Sequence, residues 1–326
     1  MAFDVLCLRP EIDFTRAGVT PPAGLTIAYR RPDDPELAAL TRGARALVIP
    51  AVGGKLPGSL FEGGQVKLVQ VTGAGVDRID ETAMKKFGIA VANVPGGSNS
   101  AVAEYAVGCA IVLLRRLPWS DMEIRDSNYV SFRGRMVADN LAGLEGLTVG
   151  VVGMGTVGLA VAEAFHRFAC QIVYHDPAPR DAQAMARIGA RALSLDDLLK
   201  ASDIVTLHVP MLPQTRSMIG ARQLNLMKPG AVLIQAARGG VVNEVALAAY
   251  LNSGHLGGAA VDVYSVEPPD TDNPLFALEG EAAHRVLFTP HVAGVTRQAS
   301  ATLFREAWAN VERVLVKGEA PLNRVY

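Results

Sequence analysis

A chain of 326 residues, half of them hydrophobic, is long enough for two domains of ordinary size, each with its own core. A formal net charge of −1, with no local run of Lys or Arg, excludes an electrostatic footprint for nucleic acid or an acidic membrane surface. Three widely separated cysteines, Cys7, Cys109 and Cys170, sit in apolar surroundings without a Cys/His cluster, which predicts buried reduced thiols and no metal site. The segment MAFDVLCLRP carries Asp4 inside its apolar run and lacks a basic region, so it does not read as a signal peptide. The longest apolar run, 106–114, falls short of the roughly 20 residues a bilayer span needs. A soluble, cytoplasmic protein is expected.

Short β-branched runs alternate with helical patterns from end to end, the pattern of parallel sheets joined by crossover helices. In the first hundred residues ALVIP (46–50), KLVQVTG (67–73) and GIAVANV (88–94) predict strands ending in Gly- or Pro-rich loops, with short helices such as 80–86 between them. An apolar helix is predicted over 100–117, stopped by Pro118. From 147 the alternation restarts with strand TVGVVG (148–153), a helix to 168, strand QIVYHD (171–176), a helix near 181–188 and a short one capped by Ser194. Strand DIVTLHV (203–209), helix 221–227, strand AVLIQ (231–235), helix 243–253, strand GGAAVDV (257–263) and strand RVLFTP (285–290) follow. A final amphipathic helix, about 296–317, has no strand of its own to follow. The fold class is α/β, with two doubly wound parallel-sheet domains. One domain, 101–293, is inserted into another formed by 1–100 and 294–326, with helices 100–117 and 296–317 at the crossings.

Gly153-x-Gly155-x-x-Gly158 follows a strand and opens a helix, the context that turns this spacing into a dinucleotide fingerprint. Gly153, Met154, Gly155, Thr156, Val157 and Gly158 are the expected coenzyme contacts. The first glycine permits the tight turn, the second lets backbone approach a pyrophosphate, and the third lets helix and strand pack closely. Asp176, 18 residues beyond Gly158, is placed to bond the ribose hydroxyls and to repel a 2′-phosphate, which favours NAD over NADP. Arg180 is able to soften that repulsion but lies past two prolines. The inserted domain therefore reads as a Rossmann-like NAD-binding domain.

Three ionisable residues stand at strand ends, on the edge where ligands bind in open α/β sheets: Arg238 in QAARGG, Glu267 in VDVYSVEPP and His291 in TPHVAG. Taken singly, Arg238 reads as a helix-start arginine paired with Glu244, Glu267 as a solvated loop residue, and His291 as a core histidine. Taken together they match hydride transfer at a carbonyl. That chemistry needs a proton donor, a cation to polarise the oxygen and a third group that holds the donor's protonation state. A carboxylate beside an imidazole favours its protonated form, and a fixed guanidinium binds a substrate carboxylate.

The segments VGVVGMGTVG, VYHDP, LHVPMLPQT, QAARGGVVNE, VDVYSVEPP and TPHVAG occur in order and at matching separations. Through them the sequence resembles, over nearly its whole length, the D-isomer-specific 2-hydroxyacid dehydrogenases, the family of formate, D-glycerate and 3-phosphoglycerate dehydrogenases. The resemblance implies an NAD-dependent enzyme that interconverts a D-2-hydroxy acid and a 2-oxo acid. Arg238 would be the substrate binder and carbonyl polariser, Glu267 the partner of the base, and His291 the general acid/base. The resemblance also implies that Asp262 bonds the nicotinamide carboxamide and that His208, Val209, Pro210, Ala236 and Gly294 line the coenzyme. Gly73, Ala74 and Gly75 in VTGAGVDRID would cradle the substrate carboxylate with backbone N–H groups.

Gln235 stands where the family more often has a shorter amide, and a local packing change is expected there. Loop 51–58, AVGGKLPG, reads as a pocket wall with Lys55 solvated, while Asn99 and Glu104 read as structural. Arg133 and Arg135 fall in the family's dimer-forming arm with Trp119 at its base, so a homodimer is expected. The lack of a phosphate-binding cluster points to a small substrate such as glyoxylate or hydroxypyruvate. Two alternatives stay open: a relative with an unusual substrate such as phosphite, and an NAD(H)-sensing, corepressor-like binding protein.

Overall fold

The computed structural model describes residues 3–326. The chain divides into two compact units: one runs to Ser98 and resumes at Val295–Tyr326, and the other is Asn99–Gly294. The divisions fall after Ser98 and Gly294, where 100 and 293 were expected, and positions 1–2 of the expected first segment lie outside the described residues.

In the first unit five parallel strands, β1 (Val5–Cys7), β2 (Ile27–Tyr29), β3 (Ala46–Ile49), β4 (Leu68–Val71) and β5 (Ala90–Ala92), stand in the order β2-β1-β3-β4-β5. The sequence pattern picks out β3, β4 and β5 but not β1 or β2. Three residues are too few for a periodicity, and β1 is buried at every position, so nothing in it alternates. One face of the sheet packs Leu6, Leu47, Val69 and Val91 with Phe61 and Met84. The other packs Val5, Cys7, Ala46, Val48 and Leu68 under the terminal helix Arg297–Leu315. Phe304, Trp308, Val311 and Leu315 form that helix's buried stripe at alternating spacings of four and three, and the side chain of Thr296 caps its start by accepting from the Ala299 amide.

The second unit holds seven parallel strands: β6 (Thr148–Val152), β7 (Gln171–His175), β8 (Arg191–Ala192), β9 (Ile204–Leu207), β10 (Val232–Gln235), β11 (Gly258–Val261) and β12 (Val286–Phe288). Their order is β12-β11-β10-β9-β6-β7-β8. From β6 the chain first winds outward to β7 and β8, then returns to β9 on the other side. The order therefore reverses between β6 and β9, and ligand crevices open at the carboxyl ends of strands at such a point. All six strands expected here are present with shorter ends. β8, two exposed residues, carries no pattern to read.

Helix Asn99–Leu114 covers this sheet, with Val102, Ala106, Ala110 and Leu113 in one cluster with Val149, Val151, Ile234 and Ala260. The expectation that Pro118 stops it is corrected. The helix ends at Leu114, Arg116 turns the chain with φ of 51°, and Pro118 sits in the first turn of the next helix, Leu117–Arg125. A first-turn proline loses no hydrogen bond, because the N–H it lacks has no intrahelical acceptor there. Trp119 of that helix is buried against Phe132, with the Arg135 guanidinium 4.5 Å from its ring centre, so Arg135 is engaged within its own unit. Cys7, Cys109 and Cys170 are buried and free of disulfides, as expected. Among the described residues no helix is long and apolar enough to cross a membrane.

Candidate active site

The fingerprint turn lies at the switch point. Gly153 follows β6 with φ of +91°, and a Cβ there would stand 2.5 Å from the His208 carbonyl oxygen, so the loops after β6 and β9 touch only because residue 153 lacks a side chain. Gly158 lets helix Thr156–His166 press onto the Gly153 carbonyl, where a Cβ would come within 2.0 Å. At Gly155 a Cβ would meet nothing, which leaves open space in front of the helix N-terminus. An anion-accepting helix end facing open space fits a dinucleotide's pyrophosphate. Thr156 is exposed and Val157 half-buried in the first turn. Met154 departs from expectation: its amide donates to Asp176 Oδ2 at 2.7 Å and its side chain is buried in the core, so neither is available to phosphate.

Asp176 ends up more deeply committed than its spacing suggested. Its side chain is 6% exposed and accepts from the amides of Met154 and Ala178 while pairing with Arg180. Burial pushes its carboxyl up, but Arg180 and the two amides outweigh that and hold it below the usual range. The placement of Arg180 beyond two prolines, expected to keep it at a distance, instead returns it to Asp176. His208 bonds Thr206 Oγ1 through Nε2 at 2.8 Å, and burial brings its imidazole down to about 4, so the ring is neutral at physiological pH. Val209 flanks the Gly153 turn, while Pro210 is exposed and Ala236 is half-buried beyond the end of β10.

Arg238, Glu267 and His291 leave the carboxyl ends of β10, β11 and β12, three adjacent parallel strands, so one sheet edge carries all three loops. Gly239 brings the first two loops into contact, since a Cβ there would lie 1.6 Å from the Tyr264 carbonyl oxygen. Gln235, 2% exposed, closes the Arg238 turn: its amide nitrogen donates to the Arg238 carbonyl at 2.9 Å. Arg238 Nη1 donates to the Ala237 carbonyl at 2.7 Å. Glu244, weighed as a partner for Arg238, uses both of its oxygens on the loop after β11. One accepts from the amide and hydroxyl of Ser265 and the other from Asn273 Nδ2, which anchors the Glu267 loop.

His291 Nδ1 lies 2.8 Å from Glu267 Oε2, and Glu267 Oε1 accepts from the Tyr264 amide. Burial pushes the Glu267 carboxyl up, yet the bonds from His291 and Tyr264 and the charges of His291 and Arg238 bring it below the usual carboxylate range. Glu267 is therefore an anion at neutral pH. His291 itself sits at φ of 55°, a left-handed conformation uncommon for a side-chain-bearing residue. Asp262 holds it there. The Asp262 carbonyl accepts from the His291 amide at 2.8 Å, and its carboxylate accepts from Thr289 Oγ1 and from the amides of Val292 and Ala293. Because Thr289 donates to a carboxylate, the hydroxyl of Tyr105, 2.7 Å away, donates to Thr289 in turn. Asp262 is 1% exposed, and Gly294, half-buried, closes this loop. Sequence reasoning missed Thr289, Tyr105 and the anchoring part of Glu244. Thr289 immediately before Pro-His was the one visible signal, a polar side chain at the end of a buried strand.

Gly73, Ala74 and Gly75 belong to the first unit, in the loop after β4. The carbonyls of Gly73 and Ala74 accept from the Val94 amide and from Asn93 Nδ2, which fixes the loop's orientation. The neighbouring loop after β3 wraps around Arg78, 4% exposed, whose guanidinium donates to the carbonyls of Pro50, Val52 and Gly54.

The family model described as D-isomer specific 2-hydroxyacid dehydrogenase, NAD binding domain, matches residues 107–293. The D-3-phosphoglycerate dehydrogenase of Archaeoglobus fulgidus is 36% identical over 236 residues, 72% of this chain and 42% of that protein. The glyoxylate reductase of Aeropyrum pernix is 33% identical over 270 residues, 82% of this chain and 78% of that protein. The chain spans about half the length of the phosphoglycerate dehydrogenases it matches. Among solved structures, a D-lactate dehydrogenase from Treponema pallidum is similar with a TM-score of 0.81 at 26% identity, covering 99% of each chain. With the glycine turn, the strand-end loops and the matched segment all in one unit, the chain belongs to the D-isomer specific 2-hydroxyacid dehydrogenase family and carries that family's NAD-binding domain.

Proposed function

We propose that the protein is an NAD-dependent oxidoreductase interconverting a D-2-hydroxy acid and a 2-oxo acid, with a small substrate such as glyoxylate or hydroxypyruvate. The observation that carries this reading is the 2.8 Å bond from His291 Nδ1 to Glu267, on a loop that Asp262 holds in a left-handed turn. NADH, bound at the fingerprint, supplies the hydride. Glu267, ionised at neutral pH, accepts from Nδ1–H, which leaves Nε2 as the ring atom that passes a proton to the carbonyl oxygen. Arg238 polarises that oxygen and engages the substrate carboxylate. Asp262 Oδ2, which accepts a single amide, offers its remaining lone pair to the nicotinamide carboxamide.

The first unit is the substrate domain in this reading, with the backbone amides of Gly73, Ala74 and Gly75 offered to the carboxylate. The small-substrate choice is supported by Arg78, whose guanidinium is committed to three backbone carbonyls and so is not a phosphate ligand. A cytoplasmic homodimer completes the reading. Leu117, Ile124, Tyr129, Val130 and Val137 on helices Leu117–Arg125 and Tyr129–Ala138 are exposed apolar side chains that a twofold partner would cover, and sedimentation velocity checks it.

NADH oxidation measured across 2-oxo acids graded by chain length and charge tests the activity. The expected result is turnover favouring the smallest acids. His291→Ala is expected to lower kcat by about 10²–10⁴-fold while NADH still binds. Wild-type turnover in that variant would remove His291 from the mechanism. No turnover on any acid, with NADH-dependent oligomerisation, would replace the enzyme by a coenzyme-sensing binding protein.

A further inference from the structure

We propose that the coenzyme site of this protein accepts NADP(H) as well as NAD(H), with Arg180 as the residue that binds the 2′-phosphate. The inference rests on the coenzyme-binding part of the reading above and not on the substrate.

A site that selects against a 2′-phosphate presents an uncompensated carboxylate at the end of the second strand of its nucleotide-binding sheet. Asp176 occupies that place after β7, but its charge is compensated. Arg180, four residues on, pairs with Oδ1, where the Ala178 amide also donates, and the Met154 amide holds Oδ2. Of the four lone pairs of the carboxylate, a single one on Oδ2 is left for a ribose hydroxyl. The Coulomb repulsion that Asp176 would exert on a phosphate is offset by an attraction of similar size from the neighbouring guanidinium.

Arg180 is also incompletely satisfied where it stands. Its Nε is buried and has no acceptor among the described residues, while the side chain as a whole keeps 28% of its surface exposed. Paired with Asp176, the guanidinium thus leaves one donor without a partner, which is unfavourable for a buried group. A phosphate presents three oxygens and takes a guanidinium through parallel N–H bonds, so a 2′-phosphate beside Asp176 offers Nε–H the acceptor it lacks while the pairing of Nη2 with Asp176 is kept. Pro177 and Pro179 restrict the backbone of the 176–180 segment, and the Ala178 amide closes a turn on Asp176, so the guanidinium is delivered to the strand end with little freedom to leave it.

Fluorescence titration of the full chain with NADH and with NADPH tests this without any substrate. The parent is expected to bind NADPH within about tenfold of NADH, a gap of about 1.4 kcal/mol. Arg180→Gln is expected to raise the ratio of the NADPH to the NADH dissociation constant by about tenfold or more, with Arg180→Lys in between because it keeps charge but not the fork. Asp176→Asn, which retains an acceptor for the Met154 amide while removing the negative charge, is expected to lower the same ratio. If NADH binds and Arg180→Gln leaves the ratio unchanged, the proposal is overturned and the dehydrogenase reading stands. If the parent binds neither coenzyme, both fall.

Discussion

Gln235 never needs to touch a substrate to matter for the proposed chemistry. Its buried amide supports the carbonyl of Arg238, and with it the turn from which the guanidinium projects. Replacing it by an apolar residue of similar volume leaves a carbonyl without its donor in a nearly closed turn. Gln235→Leu is therefore expected to destabilise the Asn99–Gly294 unit by about 1–3 kcal/mol in chemical denaturation. It is also expected to lower kcat/KM by about ten- to a hundredfold, because a misplaced carbonyl-polarising group loses effective molarity steeply. Gln235→Asn, which shortens the amide without removing it, should lie between the two. Parent-like kinetics in Gln235→Leu would separate the amide from the orientation of Arg238. Asp262 works on the same principle at the next strand end, where a carboxylate bonded to Thr289, Val292 and Ala293 gives His291 a fixed backbone.

At the scale of elements, strands of three residues such as β1 and β2 cannot hold a sheet edge by pairing alone, and a side chain supplements them. Asp4 accepts from the Thr26 amide at 3.0 Å and its hydroxyl at 2.9 Å, and pairs with Arg45 at 2.8 Å. One carboxylate thus ties together the starts of β1, β2 and β3. The Thr26 amide first, then Arg45 and the Thr26 hydroxyl, hold its carboxyl below the usual aspartate range despite some burial. A folded value below the unfolded one means the stabilisation is complete above about pH 4 and is lost as pH falls through the folded value. Asp4→Asn is expected to lower unfolding free energy at pH 7 by about 1–2 kcal/mol. The gap to the parent should close as pH drops below about 4. A gap that stays constant down to that range would show that charge plays no part in the clamp.

Across the whole molecule, the two units carry separate cores, and the coenzyme fingerprint, Asp176 and the Arg238, Glu267 and His291 loops all lie in Asn99–Gly294. Coenzyme binding should therefore stabilise that unit selectively. At an NADH concentration a hundred times its dissociation constant the gain is about 2.7 kcal/mol. Differential scanning calorimetry is expected to show the transition of that unit moving up with NADH while unfolding of the other unit is unmoved. No NADH-dependent shift in any transition would contradict coenzyme binding at the fingerprint.

Much of this protein was legible in its sequence because the relevant signals are local. Alternating β-branched and helical runs specify six of the seven strands around the fingerprint, and glycine spacing marks the turn at 153–158. Arg238, Glu267 and His291 announce themselves as charges at the ends of apolar runs. The strands β1, β2 and β8 escaped because two or three residues hold no period. Pro118 misled because a proline is equally at home ending one helix and beginning the next. What only the tertiary structure decided is which polar groups meet: that Glu244 secures the Glu267 loop, that Asp262 serves the His291 loop, and that Arg180 returns to Asp176. Two of these partnerships join loops far apart in sequence, and the third turns on how two prolines steer a short segment. Hydrogen-bond partners are fixed by where separate strand ends come together in the sheet, and no local pattern of residues records that.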